Sequence, residues 1–282
     1  MKNVFGILYN AKLKSQIAEY DGACFIEKQI PSDGQEAIDD INTQKGLQEK
    51  KMSLPLPLSI IRLLAGFVAM VTVVGILRAD VSVSEAFKNA PWAFYSAAIS
   101  GIIFGILQAY EFFKKKQHTN SEEFKEFVND NEEAIDLAKQ QLGIPFNAPK
   151  IDIFVYVYKL KKSGDVPVSG MSKYQTVECY LFQNESKIFL ADITMVLGFK
   201  KSDFVKIEKI TKKVTSQGWN KDNAINSEKY KKYKLTQNQY GTVFYKYHYS
   251  LQIAHEGTIY EILIPPYEIA TISKLLNLTY EE

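Results

Sequence analysis

Eleven lysines fall between positions 200 and 234, and their density predicts a binding chemistry. Only four acids lie in the same stretch, so its formal charge is +7. Basic segments close to an anionic membrane are attracted by about 1 kcal/mol per residue. The lysines expected to bind anionic lipid headgroups are Lys200, Lys201, Lys212, Lys213, Lys231, Lys232 and Lys234, with Trp219 inserting at the interface. The alternative is a solvated lysine-rich loop in which Trp219 covers the core.

The histidines and cysteines lack the neighbours that catalysis or metal binding requires. Cys24 and Cys179 are far apart, and neither lies in a C-x-x-C or Cys/His cluster. His248 and His255 have no acid or cysteine at ligand spacing, and we expect both on the surface. The sequence contains no glycine-rich phosphate loop, G-x-S-x-G or H-E-x-x-H motif. We therefore expect no metal, no cofactor and no enzyme activity.

Nucleic acid is not expected among the partners. The net charge of the chain is +2, and Arg62 and Arg78 are the two arginines among its 34 basic residues. Arginine is the side chain suited to bidentate recognition of phosphates and bases, so its scarcity argues against sequence-specific readout.

Two apolar blocks are long enough to cross a membrane. Residues 54–77 are 24 residues with one charge, Arg62, and residues 89–110 are 22 residues with none. A helix needs about 20 mostly apolar residues to cross the hydrocarbon core. Aromatic residues at the ends of the second block are typical of a membrane interface. They are Trp92, Tyr95 and Tyr110. Two buried helices of a soluble domain are the alternative.

Lysines outside the two blocks predict the orientation. Lys50 and Lys51 precede the first block, and the run 114–116 follows the second, whereas the connecting loop is balanced in charge. Positively charged flanks stay in the cytoplasm. We expect a multi-pass protein of the cytoplasmic membrane with both termini in the cytoplasm.

Two features predict how the spans pack as an antiparallel hairpin. Small residues recur every four positions in the second block, and such rows let helices approach closely in lipid. They are Ala97, Gly101, Gly105 and Ala109. The row faces either the first helix or a second copy of the protein. Arg62 and Glu111 fall at similar depth, which predicts a charge pair unless Arg62 extends alone towards the headgroups.

The remaining sequence divides around this hairpin. We expect an N-terminal cytosolic segment at 1–53, the membrane hairpin at 54–113, an acidic helical connector at 114–149 and a β-domain at 150–282. From position 151 onward, short β-branched and aromatic runs alternate with turn residues, as in antiparallel strands. Pro265 and Pro266 then open a last amphipathic helix.

The stretches KIFLAD, TMVLGF and SDFVKIEKI, followed by the C-terminal helix, resemble bacterial pleckstrin-homology-like (PH-like) and GRAM-like domains. The resemblance covers about residues 150–279 and implies a small antiparallel barrel that has the helix at one end. It implies binding of lipid, peptide or protein, without catalysis. The segment from Thr211 to Tyr240 has no counterpart in that pattern.

The fold expected from these observations is a hairpin of two transmembrane helices carrying a mainly antiparallel cytosolic β-domain. The expected function is non-enzymatic binding or scaffolding at the membrane, directed at anionic lipid headgroups or a protein partner. An oligomeric small channel or transporter accessory subunit is the alternative, and it requires a homo-oligomer. An enzyme without a recognisable motif is a third class.

Overall fold

The computed structural model describes residues 2–10, 15–17, 22–78, 82–159, 174–217, 231–237 and 242–281. The chain divides into two compact units. Residues 1–32 together with 136–282 form the first, which we call the β unit. Residues 33–135 form the second, the helical unit.

Five helices lie between the N-terminal strands and the rest of the chain. They are α1 (Ser32–Met52), α2 (Leu56–Arg78), α3 (Val83–Asn89), α4 (Pro91–Thr119) and α5 (Glu122–Leu142). The predicted spans at 54–77 and 89–110 correspond to α2 and α4, and α4 continues nine residues further. Ser82 caps α3 through a reciprocal capping box with Glu85.

Four short strands precede the helices and ten follow them. The first four are β1 (Lys2–Asn3), β2 (Gly6–Asn10), β3 (Ser15–Ile17) and β4 (Ile26–Gln29). The others are β5 (Lys150–Lys159), β6 (Tyr174–Gln183), β7 (Lys187–Ala191), β8 (Met195–Lys200), β9 (Phe204–Ile210), β10 (Val214–Gln217), β11 (Thr236–Gln237), β12 (Thr242–Tyr245), β13 (His248–His255) and β14 (Thr258–Ile264). Helix α6 (Ile269–Leu276) completes the unit.

The sheet is mainly antiparallel and open. Its longest path runs β11-β12-β10-β6-β5-β14-β13-β9, and β7, β8 and β4 branch from β6. The structure confirms the two long apolar helices, the large sheet and the C-terminal helix. The pairing of the described strands does not close into a ring, so these strands do not form the closed barrel expected from the sequence.

The N-terminal strands belong to the same sheet as the C-terminal ones. β1 pairs in parallel with β14, β2 in parallel with β5, and β4 antiparallel with β8. Val4 and Phe25 are buried in the main core, with 0% and 4% of their surfaces exposed. The β unit is therefore completed by residues from both sides of the helices.

Close backbone packing holds β4 against β8. A Cβ built on Gly198 would lie 2.4 Å from Cγ of Glu27, so only glycine leaves room for that side chain. The Glu27 carboxylate then accepts a hydrogen bond from Lys187 Nζ at 2.5 Å. One glycine thus lets an acid from before the helices reach a lysine from after them.

Both faces of β13 are buried, which differs from the surface position expected for His248. Tyr249, Leu251 and Ile253 lie in the main core with Ile269 and Ile272 of α6. A second apolar cluster lies around Phe154, Val214, Leu235, Val243, Tyr245, Leu263 and Tyr267. His248, Ser250 and Gln252 are at most 8% exposed. Residues on both faces of β13 are therefore packed.

Candidate functional site

The helical unit is built on an antiparallel pair of helices, α2 and α4, that contact each other along a seam. Less exposed residues recur along both helices at alternating spacings of four and three. They are Leu58, Arg62, Ala65, Ala69, Thr72 and Ile76 on α2, and Ala93, Ala97, Ser100, Leu107 and Glu111 on α4. Phe104 continues the row, with its ring 3.0 Å from a Cβ built on Gly66. This spacing is typical of a left-handed antiparallel pair.

Outside the seam, both helices expose apolar side chains all round. The most apolar windows of α2 and α4 have mean hydropathies of 2.4 and 1.5, and 6% of each is buried. Leu63 and Phe67 are 70% and 57% exposed, and Ile102 and Phe112 are 61% and 62% exposed. Both helices are long and apolar enough to cross a membrane. Water does not favour this much apolar surface on one pair of helices.

The row of small residues does not follow the seam. Ala97 is half-buried, but Gly101, Gly105 and Ala109 are exposed. A Cβ built on Gly101 or Gly105 would meet no described atom within 4 Å. A spacing of four advances about 40° around a helix at each step, so the row turns away from a seam that alternates four and three. Within the hairpin, close approach occurs at Gly66 instead.

The structure brings Arg62 and Glu111 together. Arg62 Nη1 donates to Glu111 Oε2 and, at 3.4 Å, to Gln108 Oε1. Lys115 Nζ lies 3.2 Å from Glu111 Oε1. Each carboxylate oxygen of Glu111 therefore has a cation, and we call these four residues the hairpin ion cluster.

Polar contacts continue from this cluster along the same helices. Lys114 Nζ donates to the carbonyl oxygen of Ser53 at 2.7 Å. His118 Nε2 lies 2.6 Å from Oε1 of the buried Gln48, and Lys51 pairs with Glu123. The end of α1 is thereby attached to α4 and to the start of α5. This contact extends the hairpin beyond its apolar part.

The structure separates the predicted lipid-binding lysines into groups. Lys200 and Lys201 precede β9, whereas Lys212 and Lys213 follow it. Seven residues of extended strand span about 20 Å, so these pairs lie at opposite ends of β9. Trp219 lies outside the described residues. The described lysines of this stretch therefore do not form a single patch.

Strand register gathers a smaller group of lysines at one end of the sheet. Val214 of β10 pairs with Tyr245 of β12, so Lys213 and Lys246 both lie just beyond that pair. Like β10, β11 pairs antiparallel with β12, so β10 and β11 run in the same direction. Lys234, which lies two residues before β11, is therefore at the same end of the sheet. Lys212 adjoins them in sequence. We call Lys212, Lys213, Lys234 and Lys246 the lysine edge.

The lysine edge is exposed and rich in positive charge. All four of its lysines are exposed, and no ion pair joins any of them to an acid among the described residues. Lys234 has a φ of 51°, a left-handed conformation that is uncommon for lysine. Nearby, Lys209 lies over the Tyr247 ring and Lys232 over the Tyr233 ring. Lys231 and Lys232, which are helical, are exposed just before the turn at Tyr233 and Lys234.

Lys246 was not among the lysines expected to bind lipid. It lies just after β12, outside the lysine-rich stretch at 200–234. The signal that would have found it is the pairing of β10 with β12, which no local pattern reveals.

His248 is buried behind the lysine edge rather than exposed. Its ring centre lies 6.1 Å from those of Phe154 and Tyr174, and 2% of the residue is exposed. Nδ1 has no hydrogen-bond partner among the described residues, while the backbone of Lys212 bonds the ring. Burial, aided by the charge of Lys212, lowers the pKa of His248 to about 4.

Other buried polar groups of the β unit are engaged with each other. Tyr267 donates to Asp152 at 2.8 Å, and Ser250 donates to Glu261 at 2.8 Å. Burial raises the pKa of the Cys179 thiol, which makes this cysteine unreactive. Within the described ranges, no group of three His, Cys, Asp or Glu side chains is arranged to hold a metal ion.

Comparison with known proteins gives no relative: no protein-family model matches the chain, and no curated protein or solved structure matches it significantly. The geometry of the two units therefore carries the functional argument alone.

Gly66→Leu is expected to destabilise the hairpin by about 1–3 kcal/mol, because the added side chain overpacks the Phe104 ring. Gly101→Leu is the matched control, since its Cβ enters open space. Unfolding of the full chain in mixed micelles, titrated with a denaturing detergent, measures both. Equal destabilisation by the two variants would contradict the seam described above.

Acid is expected to weaken the β unit through His248. The unfolded chain binds a proton near pH 6.5, whereas the folded chain binds it near pH 4, so this part of the stability is present at neutral pH and lost as the pH falls. The loss between pH 7 and pH 5 is about 2 kcal/mol by linkage. The free energy of unfolding should therefore depend less on pH in His248→Gln than in the unsubstituted chain. Parallel pH profiles for the two proteins would refute this assignment.

Proposed function

We propose that this chain is a membrane-anchored binding protein whose β unit associates with anionic lipid headgroups at the cytoplasmic face of the membrane. The observation that carries the proposal is the lysine edge. Four exposed lysines from three parts of the sequence converge at one sheet end, without an acid partner among the described residues. At about 1 kcal/mol each, they supply roughly 4 kcal/mol of attraction to an anionic surface.

Anchoring by α2 and α4 is the second element of the proposal. The all-round apolar surface of both helices supports their insertion in lipid. Pairing between strands that precede the helices in sequence and strands that follow them adds an independent argument. Because residues 1–32 and 136–282 share one unit, the chain must leave and re-enter the same side of the membrane, which requires an even number of crossings. Lysines next to both helices then favour the cytoplasmic side.

A PH-like architecture for the β unit is a further part of the proposal. Consecutive antiparallel pairing of β5, β6, β7 and β8, together with the antiparallel set β9, β13 and β14, supports it. Helix α6 packs its Ile269 and Ile272 into the core between these sets, as the resemblance implies. In this interpretation β1, β2 and β4 are additions from the N-terminal side.

Tethering strengthens a weak electrostatic interaction. The β unit is joined to the hairpin through both α1 and α5, so its concentration beside the membrane is high before any headgroup is bound. A few exposed lysines therefore suffice for association, and salt should reverse it. The proposed work is reversible membrane association of a folded unit, which exposes or covers the lysine edge.

Cys24 tests the orientation. It is exposed in the β unit, whereas Cys179 is buried. In intact cells, a membrane-impermeant maleimide should leave the chain unlabelled, and in permeabilised cells it should label Cys24. Val83→Cys, at a position 64% exposed in α3, is the control that should be labelled from outside. Labelling of Cys24 in intact cells would place the β unit on the other side and contradict the proposal.

The lysine edge is tested by amine acylation of the full chain in nanodiscs, read by mass spectrometry. In discs containing phosphatidylglycerol, Lys212, Lys213, Lys234 and Lys246 should react roughly tenfold more slowly than in phosphatidylcholine discs, because association with the anionic surface covers them. Lys28, exposed elsewhere in the β unit, should react equally in both. Molar salt should abolish the protection, since it shortens screening to about 3 Å.

A charge-reversal pair sharpens this measurement. Lys213→Glu with Lys246→Glu should remove the protection of Lys212 and Lys234, whereas Lys28→Glu should leave it unchanged. Protection that is the same in neutral and anionic discs would eliminate anionic lipid as the ligand.

A further inference from the structure

The hairpin ion cluster contains one more cation than anion. Arg62 and Lys115 each contact one carboxylate oxygen of Glu111, so two cations share one anion and one positive charge is left over. No other acid of the described residues pairs with Arg62 or Lys115. The cluster as a whole carries a charge of +1.

That surplus charge lies beside strongly apolar surface. Arg62 is six residues from the start of α2, or about 9 Å along its axis. Its neighbour Leu63 is 70% exposed, and Phe112, which follows Glu111, is 62% exposed. On the proposed function, these side chains contact lipid tails. Arg62 is paired with Glu111 at this depth, and the surplus charge belongs to Lys115, in the lysine run that follows the apolar part of α4. A surplus charge beside apolar surface favours an anionic ligand there.

Donors that the cluster does not use can bind one. Glu111 uses a single Arg62 nitrogen, Nη1, while the guanidinium carries five N–H donors. Gln108 accepts from Arg62 with its oxygen, which leaves its amide N–H groups unused by that contact. The Lys115 side chain is 53% exposed and contacts the other carboxylate oxygen of Glu111. The N–H groups of a guanidinium, an amide and an ammonium group can all donate hydrogen bonds to the oxygens of one phosphate.

We propose that the hairpin ion cluster is a binding site for the phosphodiester of one anionic glycerophospholipid, held by Arg62, Gln108 and Lys115. A ligand with one negative charge neutralises the surplus, whereas a zwitterionic phosphatidylcholine does not. The acyl chains then lie on the exposed apolar faces of α2 and α4. This site rests on the proposed membrane insertion but is separate from the lysine edge, which lies in the other unit.

Three substitutions test this site, and each has a different expected effect on the affinity for phosphatidylglycerol. Lys115→Gln removes the surplus while keeping the Arg62–Glu111 pair, so affinity for phosphatidylglycerol should fall about tenfold. Lys116→Gln is the matched control: it removes the same charge one residue away, outside the cluster, and should change affinity less than twofold. Glu111→Gln raises the cluster charge to +2 and should tighten binding.

The experiment is a titration of the full chain in a neutral detergent with phosphatidylglycerol, read as bound lipid by native mass spectrometry. A second arm uses phosphatidylcholine, and a third adds millimolar inorganic phosphate as competitor. The site is supported if phosphatidylglycerol binds more tightly than phosphatidylcholine, is not displaced by inorganic phosphate, and binds the variants in the stated order of affinity. Equal losses in Lys115→Gln and Lys116→Gln, equal binding of the two lipids, or displacement by free phosphate would each overturn it.

Failure here is distinguishable from failure of the proposed function. Cys24 labelling and lysine acylation report the orientation and the lysine edge, and neither depends on residues of the cluster. The comparison of Lys115→Gln with Lys116→Gln reports the cluster alone. Because both variants keep Arg62 and Glu111 paired, loss of the hairpin fold does not account for a difference between them.

Discussion

Strand pairing between residues that precede and follow the helices is the constraint on which the rest of the structure depends. β1 and β2 pair with β14 and β5, and β4 pairs with β8, so the sheet closes the chain around an insertion of about a hundred residues. The first and the last residue of that insertion must both be attached to the β unit. An antiparallel helical hairpin satisfies this condition, and a single span would not. The fold of the β unit therefore depends on one set of backbone hydrogen bonds, and the proposed topology is consistent with it.

Charge is distributed in two different ways in the two units. In the β unit, lysines of the lysine edge lie in solvent, where each contributes little and the group acts through a collective, screened field. In the helical unit, three charged groups lie in direct contact next to apolar surface, where pairing is strong and a surplus is costly. The first arrangement suits reversible association with a surface, and the second suits a single retained lipid.

Local patterns predicted the elements better than the contacts between them. Two long apolar blocks and an amphipathic end are visible in any window of sequence, and so α2, α4 and α6 were expected. Gly101 and Gly105 were expected to pack on either the first helix or a second copy, and a seam of alternating four and three leaves them exposed within the hairpin, so packing on a second copy stays a prediction. Lys246 joins Lys213 only through strand register, and His248 is buried because the second face of β13 is also packed. Such long-range pairings carry no local signal.

Nesting the hairpin inside the sheet has a consequence for biosynthesis. The partner of β1 is β14, which emerges from the ribosome more than 250 residues later. At roughly 5–20 residues per second, the first strands wait on the order of tens of seconds before their edge is covered. The pairings of β1, β2 and β4 with later strands can form only after both long helices have been synthesised. A complete β unit therefore requires that the helices of the same molecule have already left the ribosome.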